Sequence, residues 1–288
     1  MKKLHGLLIL LISYVIAFVL GFLVTHFLKD TFSLLLAIFI GNVAATIFIW
    51  FVGILFHTAS TYDPYWSLQT LLISVSLLVY NNNWNIGNII FLICLGFWAI
   101  RLTYNFICGF NDISYIDWRY KMLKEKTGNF FQIVNLLGIC MVPTIIVYLA
   151  SIPMFLYIVE NRQFEPLNII GLGIMIIGTI LELIADNNMQ KFKRIRKNNS
   201  EIINIGIWKY SRHPNYFGEI LFWYGVVLVF VLSPSFSVNY WFVIIGTLLN
   251  TLLFIFISIP MAENHMKSYK PGFDEYKKKT RMLLPIKK

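Results

Sequence analysis

The stretch from Trp208 to Trp223, WKYSRHPNYFGEILFW, sets polar and ionisable side chains against the start of an apolar run. Asn215 and Glu219 stand four residues apart, so on a helix they share one face. An amide both donates and accepts, and a carboxylate accepts two hydroxyls. Together they suit a ribose or a nicotinamide amide held just below a membrane surface. Arg212 and His213 could meet phosphate oxygens, and Pro214 suits the first turn of the helix that must carry the pair. Tyr216 and Trp223 lie nearby. The alternative is purely structural: these side chains would only cap the helix.

A second constellation precedes this one. In LELIADNNMQKFKRIRK, Glu182 and Asp186 again share a helix face, and Lys191, Lys193, Arg194, Arg196 and Lys197 follow. A stop-transfer charge cluster accounts for the basic residues. It does not account for Glu182, within or beside the apolar layer, where ionisable residues are functional candidates. Lys191, Arg194, Arg196 and Arg212 stand where a 2′-phosphate could be met. Near the C-terminus Glu263 closes the last apolar run, and a basic tail follows with Tyr269, Phe273, Tyr276 and Pro285. Those aromatic residues and the apolar MLLP predict that the tail folds back over the site.

The elements that must hold these groups are hydrocarbon-like. The chain has 288 residues, 58% of them hydrophobic and 13% charged, against about a quarter charged in a soluble domain. Eight apolar stretches lie at 6–28, 32–57, 66–80, 86–108, 131–159, 167–188, 216–233 and 239–260. Most reach the ~20 residues a bilayer crossing needs. The third is short and the fifth is long and carries Pro143 and Pro153, so the range is seven to nine spans around eight. The fold class is an all-α polytopic membrane bundle. The N-terminal run is too long for a signal peptide and lacks a small-residue cleavage site, so it reads as the first span.

Charge orients the bundle. Of 24 Lys and Arg, two lie at the N-terminus, four in 109–130, seven in 189–215 and eight in 261–288. Lys29 and Arg162 fall in loops of the other side, and Arg101 lies within a span. The positive-inside rule makes both termini cytoplasmic. The membrane is then a bacterial inner membrane or the endoplasmic reticulum, with the site facing the cytoplasm. The net charge of +10 sits beside apolar spans and suits anionic lipid head groups, with no basic surface set apart for nucleic acid. Scattered histidines and three cysteines without ligand spacing, Cys94, Cys108 and Cys140, imply neither a metal nor a disulfide. GLGIMIIG (171–178) lacks the third glycine of a dinucleotide fingerprint and a preceding strand; close helix packing explains it. No obligate protein partner is evident.

YSRHPNYFGE, the upstream E-x-x-x-D helix and the downstream E…Y…Y…P tail resemble the C-terminal half of the steroid 5-alpha-reductase family. The likeness is greater to its bacterial-type DUF1295 relatives, which also show R-L-T-Y-N and D-W-R-Y, here Arg101–Asn105 and Asp117–Tyr120. It covers about residues 98–285. The resemblance implies an NADPH-dependent reductase that acts on a lipophilic enone entering from the bilayer. It assigns 131–288 to the cofactor and 1–130 to the substrate. Asn215, Glu219, Asp186, Tyr276 and Trp208 match the family's cofactor positions. Glu182 stands where the family has an asparagine, and no arginine stands near His265. The family draws its carbonyl-polarising donors, a tyrosine and a protonated acid, from the N-terminal half. Tyr62, Asp63 and Tyr65 are the candidates here, against a plain turn around Pro64. Membrane methyltransferases of the isoprenylcysteine type share the R-H-P-x-Y-x-G turn and a late glutamate, here Arg212–Pro214, Tyr216, Gly218 and Glu263. They bind S-adenosylmethionine and are the alternative. A lipid-binding scaffold without a cofactor would leave the buried acids without a purpose.

Overall fold

The computed structural model describes residues 2–234 and 236–288. Among them the secondary structure is helical, with one isolated parallel bridge between Ser211 and Arg281. The α-helices are α1 (Lys2–Leu28), α2 (Leu34–Leu55), α3 (Tyr65–Asn81), α4 (Ile86–Gly109), α5 (Trp118–Thr127) and α6 (Phe131–Val134). They continue as α7 (Val142–Val159), α8 (Asn168–Ile195), α9 (Pro214–Val231), α10 (Ile245–Leu253), α11 (Ile259–Tyr269) and α12 (Phe273–Lys279).

Seven helical runs are long and apolar enough to cross a membrane, the lower end of the expected range. The chain is an integral multi-pass membrane protein. The remaining expected stretch, α3, is the shortest: at 1.5 Å per residue its 17 residues cover about 25 Å, at the lower limit for crossing a ~30 Å hydrocarbon layer. Two spans are compound. A π-helical turn, Asn135–Met141, joins α6 to α7, and another, Phe254–Ser258, joins α10 to α11. Each ends just before a proline, Pro143 or Pro260. A proline has no N–H to give to the carbonyl four residues back and crowds it, and the wider turn relieves that conflict.

The chain forms two compact units. One comprises 1–82 and 98–149, the other 83–97 and 150–288. They are interleaved along the sequence, so neither coincides with the stretches 1–130 and 131–288. In the first unit α1 and α2 cross at Gly21 and Gly41. A Cβ on Gly41 would stand 2.4 Å from the Gly21 carbonyl oxygen and 2.3 Å from Thr25 Oγ1.

In the second unit α8 and α9 pack through glycines. A Cβ on Gly178 would lie 2.6 Å from the Gly218 carbonyl oxygen and 2.8 Å from the Phe222 nitrogen, while one on Gly173 would meet nothing within 4 Å. The stretch 171–178 is thus a packing face, as its spacing predicts. It also sets the site, because Gly218 leaves room for Glu182, whose Cγ would stand 2.5 Å from a Cβ there. Gly178→Ala should therefore destabilise the protein by about 1–3 kcal/mol through overpacking. Gly173→Ala should be neutral or stabilising, since alanine is the better helix former. Thermal unfolding in detergent checks the contrast, and equal midpoints for the two variants would disprove it.

Candidate functional site

In the second unit the site begins at α8. Glu182 and Asp186 are both buried there, 1% and 8% exposed. From the segment beyond α8, Trp208 donates from Nε1 to the Ala185 carbonyl at 2.9 Å, and Tyr276 donates from its hydroxyl to the Trp208 carbonyl at 2.6 Å. The tail is thereby tied to α8 through one tryptophan. Backbone bonds extend the tie: Arg212 N–H reaches the Arg281 carbonyl at 2.9 Å, His213 N–H reaches Met282 at 3.1 Å, and Arg281 N–H reaches Tyr210 at 3.0 Å. The Ser211 hydroxyl donates to the Leu283 carbonyl at 2.6 Å. The tail does fold back over the RHP turn.

Glu263 is the hub of this closure. Its Oε1 accepts from Arg212 Nε at 2.7 Å and lies 3.3 Å from His213 Nε2, and its Oε2 accepts from Lys277 Nζ at 2.6 Å. Arg212 also donates from Nη1 to the Thr280 carbonyl at 2.6 Å. Arg212 and Glu263 are buried, so their attraction is poorly screened. Burial holds the His213 imidazole below its ordinary pKa, and the Glu263 acceptor opposes that shift. His213 stacks on Tyr216, centroids 5.4 Å apart, and Tyr216 stacks on Phe254 at 4.6 Å. Around the tail lies an open cleft lined by Arg212, Lys267, Lys277, Lys278 and Arg281.

On α9, Pro214 is the first residue and His213 precedes it, as the Pro signal predicts. Glu219 is buried and its Oε1 accepts from Trp223 Nε1 at 2.8 Å, an i, i+4 bond along the helix. Asn215, one turn earlier, is half-buried. At the end of α8, Lys191 and Arg194 are exposed and Arg196 is half-buried. The unit therefore brings buried acceptors on α8 and α9 together with an aromatic stack, while a basic cleft lines the tail. Such a donor set fits a dinucleotide: hydroxyl and amide groups for the acids, phosphates for the cations.

The first unit holds the other candidates. Tyr62 is 2% exposed and its hydroxyl lies 2.7 Å from Thr144 Oγ1, which lies 3.1 Å from Thr46 Oγ1. The buried Tyr65 hydroxyl sits beside Thr46 with no hydrogen bond of ordinary geometry. Tyr14 joins them, its ring 5.7 Å from that of Tyr65 and its hydroxyl donating to the Thr61 carbonyl at 2.8 Å. Asp63 accepts a short hydrogen bond from Tyr120. Burial pushes its pKa from the ordinary 3.8 up to about 7, against the lowering pull of Arg119 and the hydrogen bond from Tyr120. Arg119 is itself held by Asp117 at 2.7 Å.

Several participants escape a reading of the sequence. Lys277 lies in a run of three lysines that looks like a solvated tail. Thr144 is 82 residues from Tyr62 and carries no local signal. Tyr120 and Asp117 do have one, since D-W-R-Y stands out as a motif, although the motif assigns no role to either.

Comparison with known proteins follows the same lines. The model of a family described as a protein of unknown function, DUF1295, matches residues 49–280. An uncharacterized protein of Schizosaccharomyces pombe is 23% identical over 242 residues, 72% of this chain and 66% of that protein. The 3-oxo-5-alpha-steroid 4-dehydrogenase 1 of Macaca fascicularis is 28% identical over 122 residues, and that of Homo sapiens 27%. In both cases 42% of each chain is covered, so the match spans about two-fifths of those enzymes. No solved structure matches.

Proposed function

The chain belongs to the DUF1295 family, and from that premise we propose that it is a membrane-embedded, NADPH-dependent reductase of a lipophilic enone. The substrate class is a steroid-like or other lipid C=C next to a carbonyl. The observation that carries this reading is the second unit's site: buried Glu182, Asp186 and Glu219 on two helices in glycine contact, a tryptophan-anchored tail and a basic cleft. Similarity to proteins named 3-oxo-5-alpha-steroid 4-dehydrogenase 1 supports it. On the charge pattern of the loops, the site faces the cytoplasm.

In this reading Asn215, Tyr216 and Glu219, with Asp186 and Glu182, hold the nicotinamide and ribose end of NADPH. Trp208 and Tyr276 keep the tail closed over it. Arg212, His213 and Glu263 shape the wall of the phosphate end, where Lys191, Arg194 and Arg196 favour a 2′-phosphate. When bound, NADPH supplies a hydride to the β-carbon of the enone. Negative charge then develops on the carbonyl oxygen, where a positioned donor lowers the barrier. Asp63, Tyr62 and Tyr65 are the chain's donors: a carboxyl whose pKa burial pushes up to about 7, and two buried tyrosine hydroxyls beside Thr144 and Thr46.

Ligand-dependent thermal unfolding tests the reading. NADPH at a hundred times its dissociation constant should add about 2.7 kcal/mol to native stability. S-adenosylmethionine should add nothing, and NADH should bind more weakly than NADPH. Stabilisation by S-adenosylmethionine alone would transfer the site to the methyltransferase alternative. Glu219→Gln should keep the fold and weaken NADPH binding about tenfold to a hundredfold, since a hydrogen bond to a charged group contributes roughly 1.5–3 kcal/mol. The Trp223 contact can survive because the amide oxygen of Gln still accepts. If Glu219 serves only to hold Trp223, affinity will stay at the wild-type value.

A further inference from the structure

We infer that the first unit contains a second ligand site, a cleft that takes a lipophilic alcohol. The cleft lies between α1, α2 and α3 and opens at the surface of the unit. Its exposed walls are mostly apolar, with Phe18, Phe22 and Ile73 among them, and Thr25, Asn42 and Ser76 also line it. Tyr62, Asp63 and Tyr65 do not line it, and the inference does not rest on the reductase reading.

The polar content of the cleft identifies its occupant. Gln69, on α3, lines it and is 7% exposed, and its Oε1 is buried without a hydrogen-bond partner. An enclosed acceptor without a donor is costly, and such a group calls for a ligand or a water to complete it. A hydrocarbon chain cannot do so. An ester or an ionised carboxylate only accepts, so the acyl chains of ordinary phospholipids leave Gln69 as it is. An ammonium could donate, but Lys29 also lines the cleft, its Nζ 3.2 Å from the Tyr80 hydroxyl and 5.0 Å from that ring's centroid, and two like charges repel in so apolar a setting. A neutral hydroxyl on an apolar body meets every condition: it donates to Gln69 Oε1 and fills the aromatic and aliphatic walls.

The test uses the full chain in detergent with three matched photoreactive probes. Each carries a diazirine on a sixteen-carbon chain, and they end in a hydroxyl, a methyl or a carboxylate. Labelled peptides from α1 to α3 are quantified by mass spectrometry as probe concentration is raised. Half-maximal labelling by the alcohol should need about tenfold less probe than the hydrocarbon, the size expected for one buried hydrogen bond. Gln69→Leu should erase that difference while leaving thermal stability unchanged or higher, because it removes the unsatisfied oxygen. Ile73→Trp, which fills the cleft, should suppress labelling by all three probes there and serves should the leucine variant fail to fold. Equal labelling by alcohol and hydrocarbon would overturn the inference in favour of a bilayer chain. Stronger labelling by the acid, lost in Lys29→Gln, would overturn it in favour of an anionic amphiphile. NADPH binding measured on the same samples keeps this outcome separate from that of the reductase reading.

Discussion

Asp63→Asn should lower the rate of NADPH-dependent reduction of a 3-oxo-4-ene steroid or other lipophilic enone by a hundredfold or more, the scale on which a positioned acid contributes. It should leave NADPH affinity unchanged. The substitution keeps the shape of the side chain and an oxygen that Tyr120 can still donate to, so the turn before α3 should persist. What it removes is the proton. In the wild type, Asp63 is pushed up to about 7 by burial, so activity should fall as pH rises through that value. The asparagine variant should lack that limb. A second readout needs no substrate. The unfolded chain ionises Asp63 near the ordinary 3.8 and the folded chain near 7. Between these values the unfolded state binds fewer protons, so stability falls as pH rises through the window. Asp63→Asn should flatten that part of the stability profile. A variant with wild-type rate and an unchanged pH profile would remove Asp63 from the chemistry and leave it as part of a buried turn.

The second large effect concerns the hub of the tail. Glu263→Leu leaves Arg212 buried beside His213 with its charge uncompensated, and breaking one side of a buried pair costs about 3–5 kcal/mol. Lys277 loses its partner too, though it is half exposed and contributes less. The thermal midpoint should fall, and limited proteolysis should cut the chain between 270 and 288, which is tied to the RHP turn by Arg212, Ser211 and His213. Replacing both partners, Arg212→Met with Glu263→Leu, should restore much of the loss, because no lone charge then remains. NADPH affinity of the double variant should still be reduced if Arg212 faces phosphate. A single variant with an unaltered midpoint and a protected tail would show that Glu263 does not hold the closure.

The local pattern determines much of this protein. Low charge and long apolar runs dictate membrane helices, because only a helix satisfies its own backbone in hydrocarbon. The i, i+4 spacing places Glu182 with Asp186 and Asn215 with Glu219, and Pro214 marks the start of α9, since these are properties of a single helix. The prolines at 143 and 260 even explain the two π-helical turns once those are seen. The tail's aromatic residues announce that it packs on something.

What it packs on was decided by tertiary structure. Arg212 and His213 lie far along the chain from Glu263 and Lys277, and nothing in their spacing says that one carboxylate serves two cations and an imidazole. Only the return of the tail across the RHP turn puts them within bonding distance. The same holds for Tyr62 with Thr144 and for Asp63 with Tyr120: burial, against the lowering pull of that distant hydroxyl, pushes an ordinary aspartate up to about 7. Gln69 makes the point most simply. In the sequence it is one polar residue in an apolar stretch, and only three helices closing around it make it a buried acceptor in need of a donor. Spacing along a helix is a local quantity that sequence encodes directly. Desolvation and pairing depend on which distant atoms arrive, and those are fixed by the packing of helices through surfaces such as the glycine face of α8 on α9.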